Sequence, residues 1–380
     1  MGDPVRTALY STHVRWNGNM VDFHGFELPI WYSSMLEEHH ATRTSAGLFD
    51  VSHMGSFRFK GQGVAKWLDS ISTQKVSKFS PGKCGYTHFL DTEGSIIDDM
   101  IFAIVSDTEI LGVPNASMIP TMWKWFNSHI PKNGDITIED LSPQTSILAL
   151  QGPAAPQICA SILGPKNVVG HFKWQQIENN ELGISGWIQG TGYTGERGFE
   201  IFIPNEQVEL LWESLLSTHN ETGIVPVGLG ARDTLRMEKG YLLSGQDFIW
   251  EGLELGTPEP FPIGFLNRGT IETNVPFGLE LEHDFTGKEK MIERGSSNVK
   301  WRGMKVLDKG PFPRTGSRIL MNDENETQIG WITSGGPSPS LGRMGIGIGY
   351  VVGVELGDIV LIAPNPKRRL RAEIVSMPFL

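Results

Sequence analysis

From Trp301 to the end of the chain, the sequence consists of short stretches of alternating apolar and polar residues, separated by Gly, Pro and Asn. Alternation over a few residues is typical of strands with one buried face, and closely spaced turn residues keep each strand short. This pattern predicts a small all-β module. The residues before it mix helical and strand periodicities, so the chain is predicted to be α+β with a C-terminal β-barrel.

Length and charge limit the possible functions. The chain has 380 residues, too many for one typical domain, which predicts two or three. Its 32 basic and 43 acidic residues give a net charge of −11, whereas nucleic-acid and membrane-surface binding need a basic face. The sequence has no apolar run of about eighteen residues, and we expect that its first residues are neither a secretory signal nor a transit peptide. We therefore expect no nucleic-acid or membrane partner and a cytoplasmic location, or the mitochondrial matrix in a eukaryote.

Local patterns predict several elements that bear on function. Residues 34–47 form a predicted helix that is capped by a serine and has early acids. Residues 49–60 alternate and predict one strand, and residues 86–90 and 98–105 flank a hairpin turn. Residues 246–276 have little periodicity and predict a long loop, which in compact proteins is usually functional.

Four stretches carry the residue types on which chemistry depends, and each has a simpler interpretation when it is taken alone. In residues 94–100, Asp98 and Asp99 begin a strand, so one side chain faces in and the other out. The glycines of residues 191–200 suit turns. In residues 49–55, the simpler interpretation is that the histidine is a core residue. In residues 228–236, it is that the Arg-Asp pair is an ion pair at the start of a helix.

Cysteine and histidine patterns give no metal site. Cys84 and Cys159 are too few for a disulfide framework or a Cys-rich zinc site. His39 and His40 are adjacent on a predicted helix and therefore face different directions. We expect no metal.

Together, and in this order, the four stretches resemble the glycine-cleavage T-protein (aminomethyltransferase) family. The resemblance runs from Thr7 to Phe379 and includes further matches at residues 148–153, 285–289 and 333–341. It implies a fold of three domains around a central folate channel. The implied first α+β domain comprises residues 1–54 and 145–245, the second α+β domain residues 55–144 and 246–295, and the C-terminal β-barrel residues 296–380.

The resemblance also implies a reaction. An aminomethyl group carried on the lipoyl arm of the glycine-cleavage H-protein is transferred to tetrahydrofolate, ammonia is released, and 5,10-methylenetetrahydrofolate forms. The implied co-substrate is tetrahydrofolate, and the implied protein partner is the lipoylated H-protein.

Residue roles follow from the matching motifs. Asp99 matches the catalytic carboxylate, which can stabilise positive charge on a folate nitrogen and accept its proton. Glu200 matches the acid that accepts hydrogen bonds from the pterin edge, and Arg232 the arginine that binds the glutamate tail. The other residues that match the folate channel are Met54, Tyr86, Asn115, Tyr193 and Phe277.

This chain departs from the family pattern at several positions. Phe277 stands where the family usually has Trp, and residues 249–276 are longer than the family norm, which leaves the one-carbon donor open. Two alternatives share the scaffold. One is a tetrahydrofolate-dependent demethylase, whose members usually disrupt motifs that this chain keeps. The other is a non-catalytic folate-binding relative. Such relatives carry the motif Lys-Gly-Cys-Tyr, whereas this chain has Lys239-Gly240-Tyr241, without the cysteine.

An acidic carrier needs a basic surface on this acidic chain. The candidate residues lie near the C-terminus: Arg343, Lys367, Arg368, Arg369 and Arg371.

Overall fold

The computed structural model describes residues 3–132, 134–178, 180–253 and 256–380. Residues 1 and 2 of the predicted first domain, and residues 254 and 255 of the predicted loop, lie outside the described residues. The chain forms two compact units. The first unit comprises Met1–Leu68, Val76–Tyr86 and Met100–Leu235, and the second comprises Asp69–Lys75, Thr87–Asp99 and Arg236–Leu380.

The strands, in chain order, are β1 (Val5–Arg6), β2 (Asn19–Phe23), β3 (Phe26–Trp31), β4 (Gly47–Asp50), β5 (Phe57–Gly61), β6 (Cys84–Leu90), β7 (Ile96–Ser106), β8 (Glu109–Pro114), β9 (Ile136–Asp140), β10 (Thr145–Gln151), β11 (Trp174–Gln176), β12 (Trp187–Gln189), β13 (Gly198–Pro204), β14 (Val225–Pro226), β15 (Lys300–Val306), β16 (Arg318–Met321), β17 (Gln328–Ser338), β18 (Met344–Val351), β19 (Ile359–Asn365) and β20 (Arg368–Val375).

The helices are α1 (Tyr10–Arg15), α2 (Met35–Thr44), α3 (Val64–Asp69), α4 (Ile119–His129), α5 (Ala155–Leu163), α6 (Val208–Leu216), α7 (His219–Thr222), α8 (Leu229–Lys239), α9 (Thr270–Thr273) and α10 (Lys288–Gly295). Within the described part of the chain, none of them is long and apolar enough to cross a membrane.

The predicted serine cap is confirmed. Helix α2 begins directly after Ser34, whose hydroxyl oxygen accepts a hydrogen bond of 3.2 Å from the backbone N–H of Glu37. Such a bond satisfies one of the four N–H groups that the first turn of a helix leaves without a partner. The hairpin prediction is also confirmed, because β6 and β7 are neighbours joined by a turn in which the Asp91 carboxylate accepts from two backbone N–H groups.

The single strand predicted for residues 49–60 is wrong. The structure has two strands, β4 and β5, separated by residues 51–56. Asp50 causes the break: its Oδ1 accepts hydrogen bonds from the backbone N–H of Ser52 at 2.9 Å and from the Ser52 hydroxyl at 2.5 Å. A side-chain acceptor of this kind replaces a ladder partner and turns the backbone.

A six-stranded sheet positions the candidate site in the first unit. Its strand order is β11-β12-β13-β10-β4-β14. One face carries apolar residues of β10 and β13, such as Leu148 and Ile201, in a core cluster with residues of α5 and α6, such as Ile158 and Trp212. The other face carries a row of directly opposed residues, one from each of five strands: Trp174, Gln189, Glu200, Ala149 and Phe49.

The predicted all-β C-terminal module is confirmed as a closed barrel in the second unit. Its strands follow the order β15-β18-β17-β16-β19-β20, and β20 pairs back onto β15. Closure removes the unpaired strand edges that a small open sheet would expose. Buried residues fill the interior, among them Met304, Ile319, Ile332 and Val360. The mixed α+β body followed by a barrel is therefore as predicted.

Candidate functional site

A small pocket, with a cavity volume of about 10 Å³, lies on the face of the six-stranded sheet that carries Glu200. All the residues that line it belong to the first unit: Phe49, Val51, Ala149, Gln151, Tyr193, Thr194, Glu200 and Arg232. Its walls are mainly apolar and aromatic, and a few polar groups converge on it. This combination is typical of a site for a small organic ligand. Three residues predicted from the sequence, Tyr193, Glu200 and Arg232, meet here.

Glu200 supplies the carboxylate of the pocket. It is half-buried on β13 and accepts a hydrogen bond of 2.5 Å from the hydroxyl of Thr191. Its low-polarity surroundings raise the pKa of this carboxyl, although the Thr191 hydrogen bond and the charge of Arg232 oppose the rise. A carboxylate has about four lone-pair sites, so one hydroxyl leaves capacity for two further N–H donors. The site therefore favours a ligand with paired N–H groups.

Arg232 and Tyr193 form the cationic wall. Arg232 lies on α8, and its guanidinium carbon is 4.5 Å from the centroid of the Tyr193 ring. This distance is within the range of a cation–π contact, which restrains the guanidinium. The N–H donors lie in the guanidinium plane, where they suit a planar carboxylate. An acid group on a ligand would therefore find a pre-oriented partner here.

Gln151 supports the glycine-rich segment before β13. Its Nε2 donates to the carbonyl oxygen of Thr191 at 3.1 Å, and its Oε1 accepts from the Thr194 hydroxyl at 2.9 Å. A Cβ on Gly192 would lie 2.0 Å from the Gln151 side chain, and one on Gly198 would lie 2.5 Å from it. These glycines thus permit a close approach in addition to turning the chain. Sequence reasoning missed Gln151, although a polar residue that ends an apolar strand was a usable signal.

Three further predicted residues also belong to the first unit. Met54 packs against the apolar cluster that contains Phe49 and Ala149 of the pocket wall. Tyr86 lies on β6, and Asn115 directly follows β8.

Contacts of Cys84 show which face of β6 approaches the sheet. The Cys84 Sγ lies 4.0 Å from the Oε1 of Gln189, next to Glu200 in the row. Burial, together with the charge of Glu200, raises the pKa of this thiol well above its usual range. Tyr86 is two residues further along the same strand and therefore projects to the same side as Cys84.

Asp99 and Phe277 belong to the second unit and are not among the residues that line the pocket. On β7, Asp98 is fully buried and accepts a hydrogen bond of 3.1 Å from the hydroxyl of Ser244, whereas Asp99 is half-buried. The predicted alternation of the two acids is thus confirmed. Phe277 is 45% exposed, which is unusual for a large aromatic side chain.

His53 lies in the core of the first unit, as predicted for a lone histidine. It is 2% exposed, and its ring contacts Phe23 edge-on at a centroid distance of 5.7 Å. Its Nδ1 has no hydrogen-bond partner among the described residues. Burial, and then the charge of Arg232, lowers the pKa of His53 to about 3, so the ring is neutral at physiological pH.

Among the described residues, no group of three or more His, Cys, Asp and Glu side chains is placed to hold a metal ion. Two of the five basic residues proposed for carrier docking are already paired with acids. Arg369 binds Glu326 at 2.8 Å, and Arg371 binds Asp308 at 2.7 Å.

Comparison with known proteins adds independent evidence. Residues 9–252 match the model of the GCVT N-terminal domain, and residues 300–380 match the glycine cleavage T-protein C-terminal barrel domain. The chain is 36% identical to an aminomethyltransferase of Geobacillus sp. (strain WCH70), over 98% of each chain. It is 34% identical to an aminomethyltransferase of Halalkalibacterium halodurans, over 100% of this chain and 99% of the relative.

A solved structure is similar over nearly the same length. The crystal structure of glycine cleavage system aminomethyltransferase T from Bartonella henselae superimposes with a TM-score of 0.85 at 26% identity, covering 99% of this chain and 98% of that one.

Proposed function

The chain belongs to the glycine cleavage T-protein family of aminomethyltransferases, and we propose that it transfers a one-carbon unit from the aminomethyl-lipoyl arm of an H-protein to tetrahydrofolate. Ammonia and 5,10-methylenetetrahydrofolate are the products. The observation that carries this proposal is the carboxylate of Glu200 in an apolar pocket beside Arg232.

The chemistry of the pocket fits the pterin ring. The ring presents an amino group and a ring N–H side by side, and the Glu200 carboxylate has the capacity to accept both. Phe49, Val51 and Ala149 provide apolar surface for the flat ring. A charged acceptor in such surroundings binds its donors strongly, because water competes weakly there.

Arg232 suits the acidic tail of folate. Its guanidinium is held by Tyr193 at 4.5 Å, so little side-chain freedom is lost when a carboxylate binds. Bidentate binding would orient the tail relative to the ring held at Glu200.

Asp99 is the candidate for proton transfer. Tetrahydrofolate, when bound, supplies the nitrogen nucleophiles that accept the carbon. Asp98 is engaged in the interior of the second unit by Ser244. Asp99, on the other face of β7, is partly exposed and is the acid that we propose to stabilise positive charge at a folate nitrogen and to accept its proton.

The H-protein would dock through exposed basic residues of the barrel. Because Arg369 and Arg371 are paired with acids, the contribution of these two cations to steering is reduced. Arg343, Lys367 and Arg368 are exposed and remain the candidates.

The deciding experiment is an assay with tetrahydrofolate and aminomethyl-loaded H-protein, in which ammonia release is measured. We expect ammonia release that requires both substrates. Methyl transfer from a small donor without carrier-dependent ammonia release would establish the demethylase alternative instead. Folate binding without any transfer would establish the non-catalytic alternative.

A further inference from the structure

A row of polar side chains extends beyond the pocket along the same sheet face. Gln189 on β12 lies directly opposite Glu200 on β13, and Trp174 on β11 lies directly opposite Gln189. Directly opposed residues on neighbouring strands project from the same face, with Cβ atoms about 4.5–5.5 Å apart. The wall that contains Glu200 therefore continues through Gln189 to Trp174.

Two residues of this row carry hydrogen-bond donors that meet no acceptor in the described part of the chain. Gln189 is 0% exposed, and neither its Nε2 nor the indole Nε1 of Trp174 has a hydrogen-bond partner among the described residues. The Gln189 Oε1 faces the thiol of Cys84 at 4.0 Å, so the carbonyl end of the amide is oriented toward β6. Buried donors are nearly always paired in native proteins, and an exception calls for a reason.

We propose that Gln189 donates a hydrogen bond from its Nε2 to the 4-oxo oxygen of the pterin ring that Glu200 holds; this inference rests on the proposed function. On that ring the 4-oxo acceptor adjoins the N–H donors. A carboxylate and an amide N–H on neighbouring strands present the complementary order, an acceptor followed by a donor. Gln189 is then a specificity-determining residue, which selects a 4-oxo ring over a 4-amino ring.

The test compares tetrahydrofolate with its 4-amino analogue, in which an amino donor replaces the oxo acceptor and the adjoining ring nitrogen carries no hydrogen; the readout is therefore the effect of the Gln189 substitution on each ligand separately. Dissociation constants are measured by calorimetry for the wild-type protein, for Gln189→Met, which keeps the volume and removes the donor, and for Gln176→Met. Gln176 is exposed on β11, so it is a matched control for the same chemical change. We expect Gln189→Met to weaken tetrahydrofolate binding by about tenfold, while binding of the analogue stays within about twofold. The control should match the wild type.

A stability measurement separates this role from a structural one. The Gln189 Nε2 has no described partner, and the substitution removes only the weak 4.0 Å bond from the Cys84 thiol to the Oε1, so the urea midpoint of Gln189→Met should stay close to that of the wild type. If the variant does not fold, Gln189→Leu replaces it in the same comparison.

Two outcomes distinguish a failure of the role proposed for Gln189 from a failure of the proposed function. If Gln189→Met binds both ligands as the wild type does, while Glu200→Gln loses tetrahydrofolate binding, the role of Gln189 is refuted and the proposed function stands. If the wild type binds no tetrahydrofolate, the proposed function fails, and the role of Gln189 fails with it.

Discussion

Glu200→Gln tests the proposed pterin site most directly. The substitution keeps the shape of the side chain and the acceptor for Thr191, but it replaces the second carboxylate oxygen by an NH₂ group. The NH₂ group would then face an N–H donor of the ligand and could not accept a hydrogen bond from it. A hydrogen bond to a charged group contributes about 1.5–3 kcal/mol, so the dissociation constant for tetrahydrofolate should rise by about 10- to 150-fold.

The same substitution should stabilise the free protein. The pKa of Glu200 is raised above its ordinary value of 4.5, chiefly by burial, so the folded state holds this proton more tightly than the unfolded state does. Stability from this group therefore falls as pH rises above about 4.5, until the folded-state carboxyl is ionised. Glu200→Gln has no such ionisation. Its unfolding free energy should match that of the wild type near pH 4 and exceed it near pH 8.

Calorimetry with tetrahydrofolate and urea unfolding between pH 4 and 8 measure both effects. Glu206→Gln is the matched control, because Glu206 is exposed in the same unit and does not line the pocket. Wild-type affinity in Glu200→Gln would refute the assignment of Glu200 to the ligand. If Glu200→Gln were instead less stable than the wild type, by an amount that grows with pH, the account of the raised pKa of Glu200 would be refuted.

Further expectations concern other groups. Asp99→Asn should lower steady-state turnover by about two orders of magnitude or more with folate affinity kept, whereas Asp98→Asn should mainly lower stability; equal losses of turnover would contradict the assignment. Arg232→Ala should weaken polyglutamylated folate more than a tail-truncated pterin in calorimetry, and an equal loss would exclude a role in tail binding. Asp50→Asn should cost about 3–5 kcal/mol in urea unfolding at pH 7. Burial alone raises the pKa of Asp50, but hydrogen bonds and the charge of a histidine lower it to about 2. The difference in unfolding free energy between the wild type and Asp50→Asn should therefore shrink as the pH falls from 3.8 toward 2, and a difference that stays constant would contradict this linkage. Arg368→Glu should slow H-protein association and reduce its salt dependence without changing folate affinity; unchanged association kinetics would place docking elsewhere.

Features with a local cause were predictable from the sequence. The start of α2 depends on Ser34 and a backbone N–H three residues later, and the β6–β7 turn depends on Asp91 and two N–H groups within four residues. The barrel was predictable because alternation and turn residues recur throughout the last part of the chain. In the first two cases the interacting groups lie close together in the sequence; in the barrel the alternation and the turns are local, although β15 pairs with the distant strands β18 and β20.

The break between β4 and β5 shows where periodicity fails. Residues 49–60 alternate as a strand does, yet Asp50 holds Ser52 and turns the backbone. The same carboxylate accepts hydrogen bonds from Thr7 at 2.7 Å and from His13 at 2.8 Å, far away in the sequence. Because these distant partners fix the position of Asp50, the turn depends on tertiary structure that the local pattern does not contain.

The site was predictable only in part for a related reason. Glu200, Arg232 and Tyr193 were found because their motifs resemble a known family, and the structure brings all three to one pocket. Gln151 and Gln189 were not predicted. Gln151 ends an apolar strand, which was a usable signal, but the relation of either glutamine to Glu200 depends on strand register across β10, β13 and β12, which a single sequence does not give.

The two faces of the six-stranded sheet show how the fold divides stability from function. The face toward α5 and α6 carries a continuous apolar cluster, which supplies the burial that holds the first unit together. The opposite face carries Glu200, whose carboxyl is costly to ionise there, and donors of Gln189 and Trp174 without described partners. Each of these groups weakens folding, and a bound molecule with complementary donors and acceptors would add hydrogen bonds to it. A ligand with complementary donors and acceptors should therefore raise the unfolding free energy of the protein by more than apolar contact alone would give.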